Sequence, residues 1–207
     1  REEGSAGREQ WAIQELCIAI VTQSGGAGAM MADRVEELGY EVPAPSDETQ
    51  ARLREVIPAF GAFGNPIDIT GQFLADPGIL KGSVEAVLDD PAIDVAVVWL
   101  QLMHGYSDLL IDVFCEIKER VSKPFVVCWI EPPENVRGAF NTFGICLITG
   151  TEQVIDAVSG LIEFRRARER FLVQRMPKFS SQRLTSVKAS TLPSKQVYDL
   201  LNSAGVP

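Results

Sequence analysis

The residues best suited to chemistry form the glycine-rich segment 24–28, which stands between an apolar run and an amphipathic stretch. The unbroken apolar run at residues 17–21 predicts a buried parallel strand. Three glycines within the five residues of the segment favour a tight turn whose backbone comes close to a neighbour or a ligand. The turn consists of Ser24, Gly25, Gly26, Ala27 and Gly28.

The residues after this turn predict an amphipathic helix. Met31, Val35 and Leu38 recur on one face, and Gly39 stands where a C-terminal cap belongs. The unpaired N–H groups of the first helical turn, together with the positive end of the helix dipole, would point beyond the carboxyl end of the strand and favour an anion there. A strand-to-helix connection without any ligand has the same pattern, so both interpretations stay open.

Two common nucleotide motifs do not fit this segment. A dinucleotide motif read from Gly26 and Gly28 would put Met31 at its third glycine position, and Glu41 starts the next segment, where a ribose-binding acid is not expected. A Walker loop requires a lysine directly before Ser or Thr, whereas the first lysine of the chain is Lys81. NAD and P-loop nucleotides are therefore not expected as ligands.

Three further polar residues stand at or near the ends of predicted strands. His104, the single histidine, and Glu131 follow apolar runs, at the edge where open α/β sheets collect ligands. No Ser, Cys or carboxylate stands at a triad spacing from His104, so a catalytic or phospho-carrier role and an ordinary loop histidine remain alternatives. Asp68 either stabilises a turn or points at a ligand. The role of Glu131 is equally open.

The cysteines and the charge balance narrow the class of protein. Four single cysteines without a CxxC motif or paired histidine ligands predict reduced, buried thiols, no metal site and a cytoplasmic location. They are Cys17, Cys115, Cys128 and Cys146. Nineteen basic and 28 acidic residues give a net charge of −9, which disfavours general binding to nucleic acid or an anionic membrane. No apolar run approaches the roughly 20 residues that span a bilayer.

The spacing of apolar runs predicts the fold. Strand-like runs at residues 17–21, 67–70, 94–100, 125–130 and 145–149 are separated by helical patterns. This order is typical of a doubly wound, mainly parallel, flavodoxin-like α/β sheet. We expect a flank at residues 1–15, one domain over residues 16–173, a linker over 174–193 and the first helix of a further domain from residue 194. Residues 174–198 hold five basic side chains and no acid, which suits either docking on an acidic surface or a solvated linker.

Several segments together resemble the ADP-forming (NDP-forming) acyl-CoA synthetases, relatives of succinyl-CoA synthetase. They are VTQSGGAGAMMADRVEELG, SDETQARLREVIPAFGAFGNPIDITG and the strands DVAVVWL and KPFVVCWI. The resemblance covers roughly residues 18–171 and depends on the SGG turn, the NPxD loop and the distance between them. It implies the second flavodoxin-like ligase domain of that family. Residues 191–207 are similar to the opening of the ATP-grasp domain that follows it.

The resemblance also implies a function. The family forms acyl-CoA from an acid, CoA and ATP through an acyl phosphate and a phosphohistidine in an SHTG-type motif, which this chain lacks; His104 stands in MHGYSD. The segment 24–28 would receive the phosphohistidine or phosphate, Asn65 and Asp68 would form a possible site loop, and the chain would supply no nucleophile and hold no metal or cofactor. ATP, Mg and CoA are implied for the complete enzyme, which is expected to be a homo-oligomer whose other domains are the partners of this one.

Two other classes stay open. One is a stand-alone flavodoxin-like module that binds a small ligand. The other is a ligase-like sensor module of a protein lysine acyltransferase. An SHTG motif upstream and a complete ATP-grasp domain downstream would favour the ligase, whereas an attached acetyltransferase domain would favour the sensor. The sequence does not indicate which acid is activated.

Overall fold

The structure, a computed structural model, describes residues 17–173 and contains a five-stranded sheet. The strands are β1 (Ile18–Thr22), β2 (Ile67–Asp68), β3 (Val95–Gln101), β4 (Phe125–Ile130) and β5 (Cys146–Ile148). The helices are α1 (Gly25–Glu37), α2 (Asp47–Val56), α3 (Gly78–Asp89), α4 (Ser107–Arg120), α5 (Glu134–Phe143) and α6 (Thr151–Val173). Short 3₁₀ helices lie at Gly71–Leu74 and His104–Tyr106. The expected flank at 1–15, linker at 174–193 and helix from 194 lie outside the described residues.

All strand pairs in this sheet are parallel, and the strand order is β2-β1-β3-β4-β5. This arrangement confirms the predicted flavodoxin-like α/β class. The chain moves from β1 outward to β2 and then crosses to the other side of β1 to form β3. The strand order therefore reverses between β1 and β3, and in open α/β sheets ligands bind beyond the carboxyl ends of the strands at such a switch point.

Alternating residues of β1 face two apolar layers, which explains its unbroken apolar sequence. Ala19 and Val21 pack in the layer that contains residues of α2, α3, α4 and α5. Ile18 and Ile20 pack in the layer that contains residues of α1 and α6. The sheet, helices α1 to α5 and the part of α6 that ends at Arg166 belong to one compact unit. A second unit begins at Ala167, within α6.

Helix α1 begins earlier than its sequence suggested. Because Ser24 is its N-cap, Gly25 and Gly26 form the start of the helix instead of a separate turn before it. The C-terminal cap is confirmed: Gly39 has a φ of +77°, and its N–H donates to Glu36 O at 2.9 Å. The N–H of Tyr40 donates to Val35 O at 3.1 Å, which completes a Schellman motif.

Several side-chain predictions need correction. Leu38, the C-cap residue of α1, is 37% exposed, although its spacing from Met31 and Val35 predicts an inward side chain. In α6 the spacing of the apolar residues predicts that Val154, Val158, Leu161 and Ile162 face inward, but Leu161 is 64% exposed. The inward face of α6 is rotated from the expected one and includes Ile155.

The cysteines are all free. Cys128 is buried, and burial raises the pKa of its thiol to about 12. Cys17 and Cys115 are half-buried and Cys146 is exposed, so the prediction of buried thiols is confirmed only for Cys128. The strand of Cys146, β5, lies at the edge of the sheet and pairs only with β4 among the described residues. Within residues 17–173 no helix combines the length and apolarity required to cross a bilayer.

Asp90 joins the end of α3 to the start of α2 and is 1% exposed. Its carboxylate accepts the backbone N–H of Ala92 at 2.9 Å and that of Ser46 at 2.7 Å. Burial raises the pKa of Asp90, but the hydrogen bonds from these backbone groups outweigh that effect and hold the pKa below its usual value. The charged form therefore contributes to stability.

We expect Asp90→Asn to lower the free energy of unfolding at pH 7 by about 1.5–3 kcal/mol, since hydrogen bonds to a charged acceptor are lost. Because the pKa of Asp90 is lower in the folded state, the wild type should be more stable than Asp90→Asn above the unfolded pKa of about 3.9. This difference in the free energy of unfolding should disappear as the pH falls through the folded pKa. Urea denaturation at several pH values measures both effects. Asp89→Asn is the matched control, because Asp89 is half exposed and pairs with Arg52. Equal losses in the two variants would contradict the prediction.

Candidate functional site

The candidate site lies at the carboxyl edge of the sheet, where the strand order reverses. Gln23 follows β1, and its Nε2 donates to the backbone oxygen of Gln101 at the end of β3, with the two atoms 3.5 Å apart. This contact spans the switch point between the two strands. The segments that border the site are therefore the β1–α1 connection and the β3–α4 connection.

Thr22 is the last residue of β1 and is 1% exposed, and its side chain hydrogen bonds to the β1–α1 connection. Its hydroxyl oxygen accepts the N–H of Ser24 at 3.0 Å, and the hydroxyl also donates to Ser24 O at 3.1 Å. Ser24 caps the helix by accepting the N–H of Ala27 at 3.5 Å, while the N–H of Gly28 donates to Ser24 O at 2.9 Å. Only two residues separate the strand from the helix, so the helix start is fixed directly to the edge of the sheet.

The first residues of α1 are open to solvent. Gly25 and Gly26 are exposed, and within residues 17–173 their N–H groups have no protein acceptor. Neither glycine has a positive φ. A Cβ on Gly26 would meet nothing within 4 Å, and one on Gly25 would lie 3.8 Å from Asp68 Oδ2. Since the backbone does not require glycine here, the effect of these residues is to leave the positive end of the helix bare.

Gly28 differs from these two glycines, because its Cα packs closely against other residues. A Cβ on Gly28 would lie 3.0 Å from Pro66 Cβ and 3.1 Å from Thr22 Cγ2. Ala27 is also buried, at 9% exposure. Of the five residues predicted to bind phosphate, Ser24, Gly25 and Gly26 thus reach the surface, and Ala27 and Gly28 support them from inside. Their role in binding stays a prediction.

The NPxD loop supports β1 through the side chain of Asn65. Its Oδ1 accepts the N–H of Ile20 at 2.9 Å, and its Nδ2 donates to Ile18 O at 2.8 Å and to Pro43 O at 3.0 Å. Strand β2 pairs only with the last two residues of β1, so the amide of Asn65 satisfies backbone groups that β2 does not reach. Asn65 is therefore a support for the site and is not aimed at a ligand.

Asp68 links the same loop to the start of α1. Its Oδ1 accepts the N–H of Thr70 at 2.9 Å, as expected for a turn-stabilising carboxylate. Its Oδ2 lies beside the first turn of α1, at the distance from Gly25 given above. The Asn65–Pro66 peptide bond is cis, and the Pro66 ring faces Gly28. The two sequence motifs are thus packed against each other and form one structural unit.

Strained backbone is concentrated at this edge of the sheet. Within residues 17–173 the non-glycine residues with positive φ are Thr70 (59°), Leu102 (60°), Met103 (70°) and Glu131 (52°). They follow β2, β3 and β4 at the carboxyl ends of those strands. Thr70 also has a ψ of 177°, which ends β2 two residues before the expected position. Each such conformation costs on the order of 1–3 kcal/mol, and such residues cluster at functional sites.

Among the described residues, His104 and the acidic side chains are not clustered with one another. His104 is exposed in the 3₁₀ helix His104–Tyr106, and no Ser, Cys or carboxylate of the described residues hydrogen bonds to it. Over residues 17–173 no group of three or more His, Cys, Asp or Glu side chains is placed to hold a metal ion. The features that the structure assembles are an open helix N-terminus and strained connections.

Comparison with known proteins identifies the family. The model of the Ligase-CoA domain family matches residues 18–171. This chain belongs to the Ligase-CoA domain family. The resemblance to the ADP-forming acyl-CoA synthetases is thereby confirmed.

Three relatives illustrate the similarity. The chain is 28% identical over 157 residues to acetate–CoA ligase [ADP-forming] I subunit alpha of Pyrococcus furiosus, a match that covers 72% of this chain and 33% of the relative. It is 35% identical over 78 residues to acetate–CoA ligase [ADP-forming] I of Archaeoglobus fulgidus, covering 38% of this chain and 11% of the relative.

The third relative is a solved structure, the dinucleotide forming acetyl-coenzyme A synthetase 1 of Ca. Korarchaeum cryptofilum in complex with phosphate and ADP. It aligns with a TM-score of 0.61 and 26% identity, covering 77% of this chain and 34% of that one. The matched part of this chain thus spans about a third or less of the length of these relatives.

The two kinds of glycine in α1 predict opposite effects on stability. Gly26→Ala should raise the free energy of unfolding by about 0.5–1 kcal/mol, because it adds a methyl group in open space and restricts the unfolded chain. Gly28→Ala should lower it by about 1–3 kcal/mol, because the added methyl group is forced against Pro66 and Thr22. Urea denaturation at pH 7 measures both. Shifts of the same sign would show that the packing around Gly28 does not require glycine.

Proposed function

We propose that this chain forms part of an ADP-forming acid–CoA ligase and presents the first turn of α1 to a phosphohistidine or phosphate during formation of acyl-CoA. The observation that carries this proposal is the bare helix start at the switch point. Gly25 and Gly26 expose N–H groups that no described residue accepts, at a place where the fold does not itself require glycine. Membership of the Ligase-CoA domain family and the names of the relatives support the reaction class.

The chemistry at this turn is electrostatic. Phosphoryl transfer spreads negative charge over the transferred oxygens, and fixed N–H donors with an aligned helix dipole stabilise that charge. The donors of α1 are fixed in advance, because Thr22 and Ser24 hold the connection and Gly28 packs on Pro66. The phosphorylated histidine comes from another part of the enzyme. Asp68 borders the turn, whereas Asn65 holds the strand behind it.

The remaining components belong to the complete ligase. ATP, Mg and CoA bind to its CoA-binding and ATP-grasp domains, and these domains, with the one that carries the phosphohistidine, are the partners of this chain. The domain spans residues 16–173, followed by a linker over 174–193 and the start of the ATP-grasp domain. The enzyme is cytoplasmic and a homo-oligomer. The relatives named above are ligases and synthetases, so they lend no support to the acyltransferase sensor or to the stand-alone binding module.

The central test places a side chain in the open turn. In the complete ligase, Gly25→Val and Gly26→Val should lower histidine phosphorylation and turnover about tenfold or more, equivalent to a barrier increase of about 1.4 kcal/mol. The methyl groups would stand where the phosphoryl oxygens approach the N–H donors. Phosphorylation with radiolabelled ATP and steady-state turnover measure the effect, with the acid taken as the best substrate from a panel of short-chain and aryl acids.

Ala29→Val provides the matched control, because Ala29 is exposed one helical turn after Gly25. It introduces the same side chain on the same helix, away from the N-terminus, and should leave both activities unchanged. Thermal unfolding of all variants separates obstruction from misfolding. If Gly26→Val melts normally and phosphorylates histidine at the wild-type rate, the turn is only a connection. If the unmodified enzyme turns over no acid, the ligase assignment itself fails.

A second expectation concerns the 207-residue chain alone. It should form no acyl-CoA from acid, CoA and ATP, because the proposed phosphohistidine and nucleotide site lie in other parts of the enzyme. A coupled assay that detects ADP and acyl-CoA measures this directly. ATP- and CoA-dependent acyl-CoA formation by the purified chain would contradict the division of the ligase into these parts.

A further inference from the structure

The β3–α4 connection is held in an unusual way. Leu102 and Met103, neither of them glycine, follow each other in the left-handed region with φ of 60° and 70°. Leu102 is also 46% exposed, so burial of its side chain does not hold it there. An exposed connection ordinarily relaxes out of such a conformation. Some other contact must fix this segment.

The contact is made by the end of β4. The N–H of Leu102 donates to Ile130 O at 2.9 Å. The indole Nε1 of Trp129 donates to Leu102 O, and these two atoms are 2.6 Å apart. Both backbone polar groups of Leu102 are therefore bound to β4. The connection that borders the switch point is fixed through one strained residue.

Trp129 is well placed to act as a rigid support. Its side chain is completely buried, and its ring lies 6.4 Å from the ring of Phe140 between centroids. The apolar layer thus fixes the ring, and the single polar atom of the indole points at the edge of the sheet. Trp99 gives a useful comparison, since it is also buried but its Nε1 donates to the hydroxyl of Thr151, 3.1 Å away. Thr151 starts α6 and has no positive φ.

We propose that Trp129 is a positioning residue of the ligase reaction, which holds the β3–α4 connection in its left-handed conformation at the switch point. This inference rests on the proposed function, because the connection borders the edge at which the phosphoryl group is received. Small displacements of groups around a reacting centre lower turnover more than substrate binding, provided that the binding groups themselves remain. The positioning depends on the hydrogen bond from the indole N–H to Leu102 O and not on the aromatic ring itself.

The test removes the N–H and keeps an aromatic ring. In the complete ligase, Trp129→Phe should lower kcat about fivefold or more, with the KM for the acid changed less than about twofold. Trp99→Phe makes the same chemical change in a second buried tryptophan and should leave kcat unchanged. Thermal unfolding shows whether the folded protein is retained in each variant.

A double-mutant cycle separates positioning from general stability. Glycine adopts a φ near +60° without cost, so Leu102→Gly removes the need for the indole N–H. In the Leu102→Gly background, Trp129→Phe should therefore lower kcat less than about twofold. Equal losses of kcat in both backgrounds would overturn the proposal, as would an unchanged kcat in Trp129→Phe itself.

If Trp129→Phe does not fold, a second pair of variants tests the same conformation. Asparagine tolerates the left-handed region and valine does not, so Leu102→Val should lose about fivefold more kcat than Leu102→Asn. Equal kcat values in the pair would overturn the proposal. The outcome is independent of the Gly26→Val test: a loss in Gly26→Val with none in Trp129→Phe contradicts only this inference, and the reverse result contradicts only the role of the α1 turn.

Discussion

The side-chain amide of Asn65 is the contact on which the candidate site depends. Its three hydrogen bonds join the NPxD loop to β1 and to Pro43, and they satisfy backbone groups that lie beside the short β2 strand. Buried backbone groups without partners are costly, and this amide supplies hydrogen-bond partners at positions of β1 that β2 does not reach. Once the loop is fixed, Pro66 lies against Gly28 and Asp68 beside Gly25. The position of the open helix start follows from these contacts.

This dependence explains why the site has two classes of residue. The supporting residues are Thr22, Gly28 and Asn65. Thr22 and Asn65 use their polar groups in hydrogen bonds within the protein, and Gly28 allows close packing because it has no side chain. Gly25 and Gly26 leave their backbone donors at the surface, where no residue of 17–173 accepts them. A change in the first class acts through folding and geometry, while a change in the second acts on whatever approaches the helix. Measurements of stability and activity on the same variants can therefore distinguish them.

The sequence predicted the parallel sheet because its strands are buried on both faces and appear as unbroken apolar runs such as residues 94–100. It also predicted Gly39 as a helix cap, since that position is a matter of local backbone chemistry. It could not separate Gly28 from Gly25 and Gly26, because the difference lies in the distant Pro66. The spacing of Leu161 predicted a buried side chain. In the structure the apolar layer contains Ile155 of α6 instead, and Leu161 is exposed.

The left-handed residues were also beyond sequence reasoning, and their location has an energetic meaning. Neither Leu102 nor Thr70 is a residue type that favours a positive φ, so no local signal marks them. Costs on the order of 1–3 kcal/mol each are large beside a typical net stability of about 5–15 kcal/mol. They persist because buried or well-bonded groups hold them: the indole of Trp129 holds Leu102, and the carboxylate of Asp68 holds Thr70. The stability of the apolar layers is therefore used to keep the edge of the sheet in one shape, which is what a site made of fixed backbone donors requires.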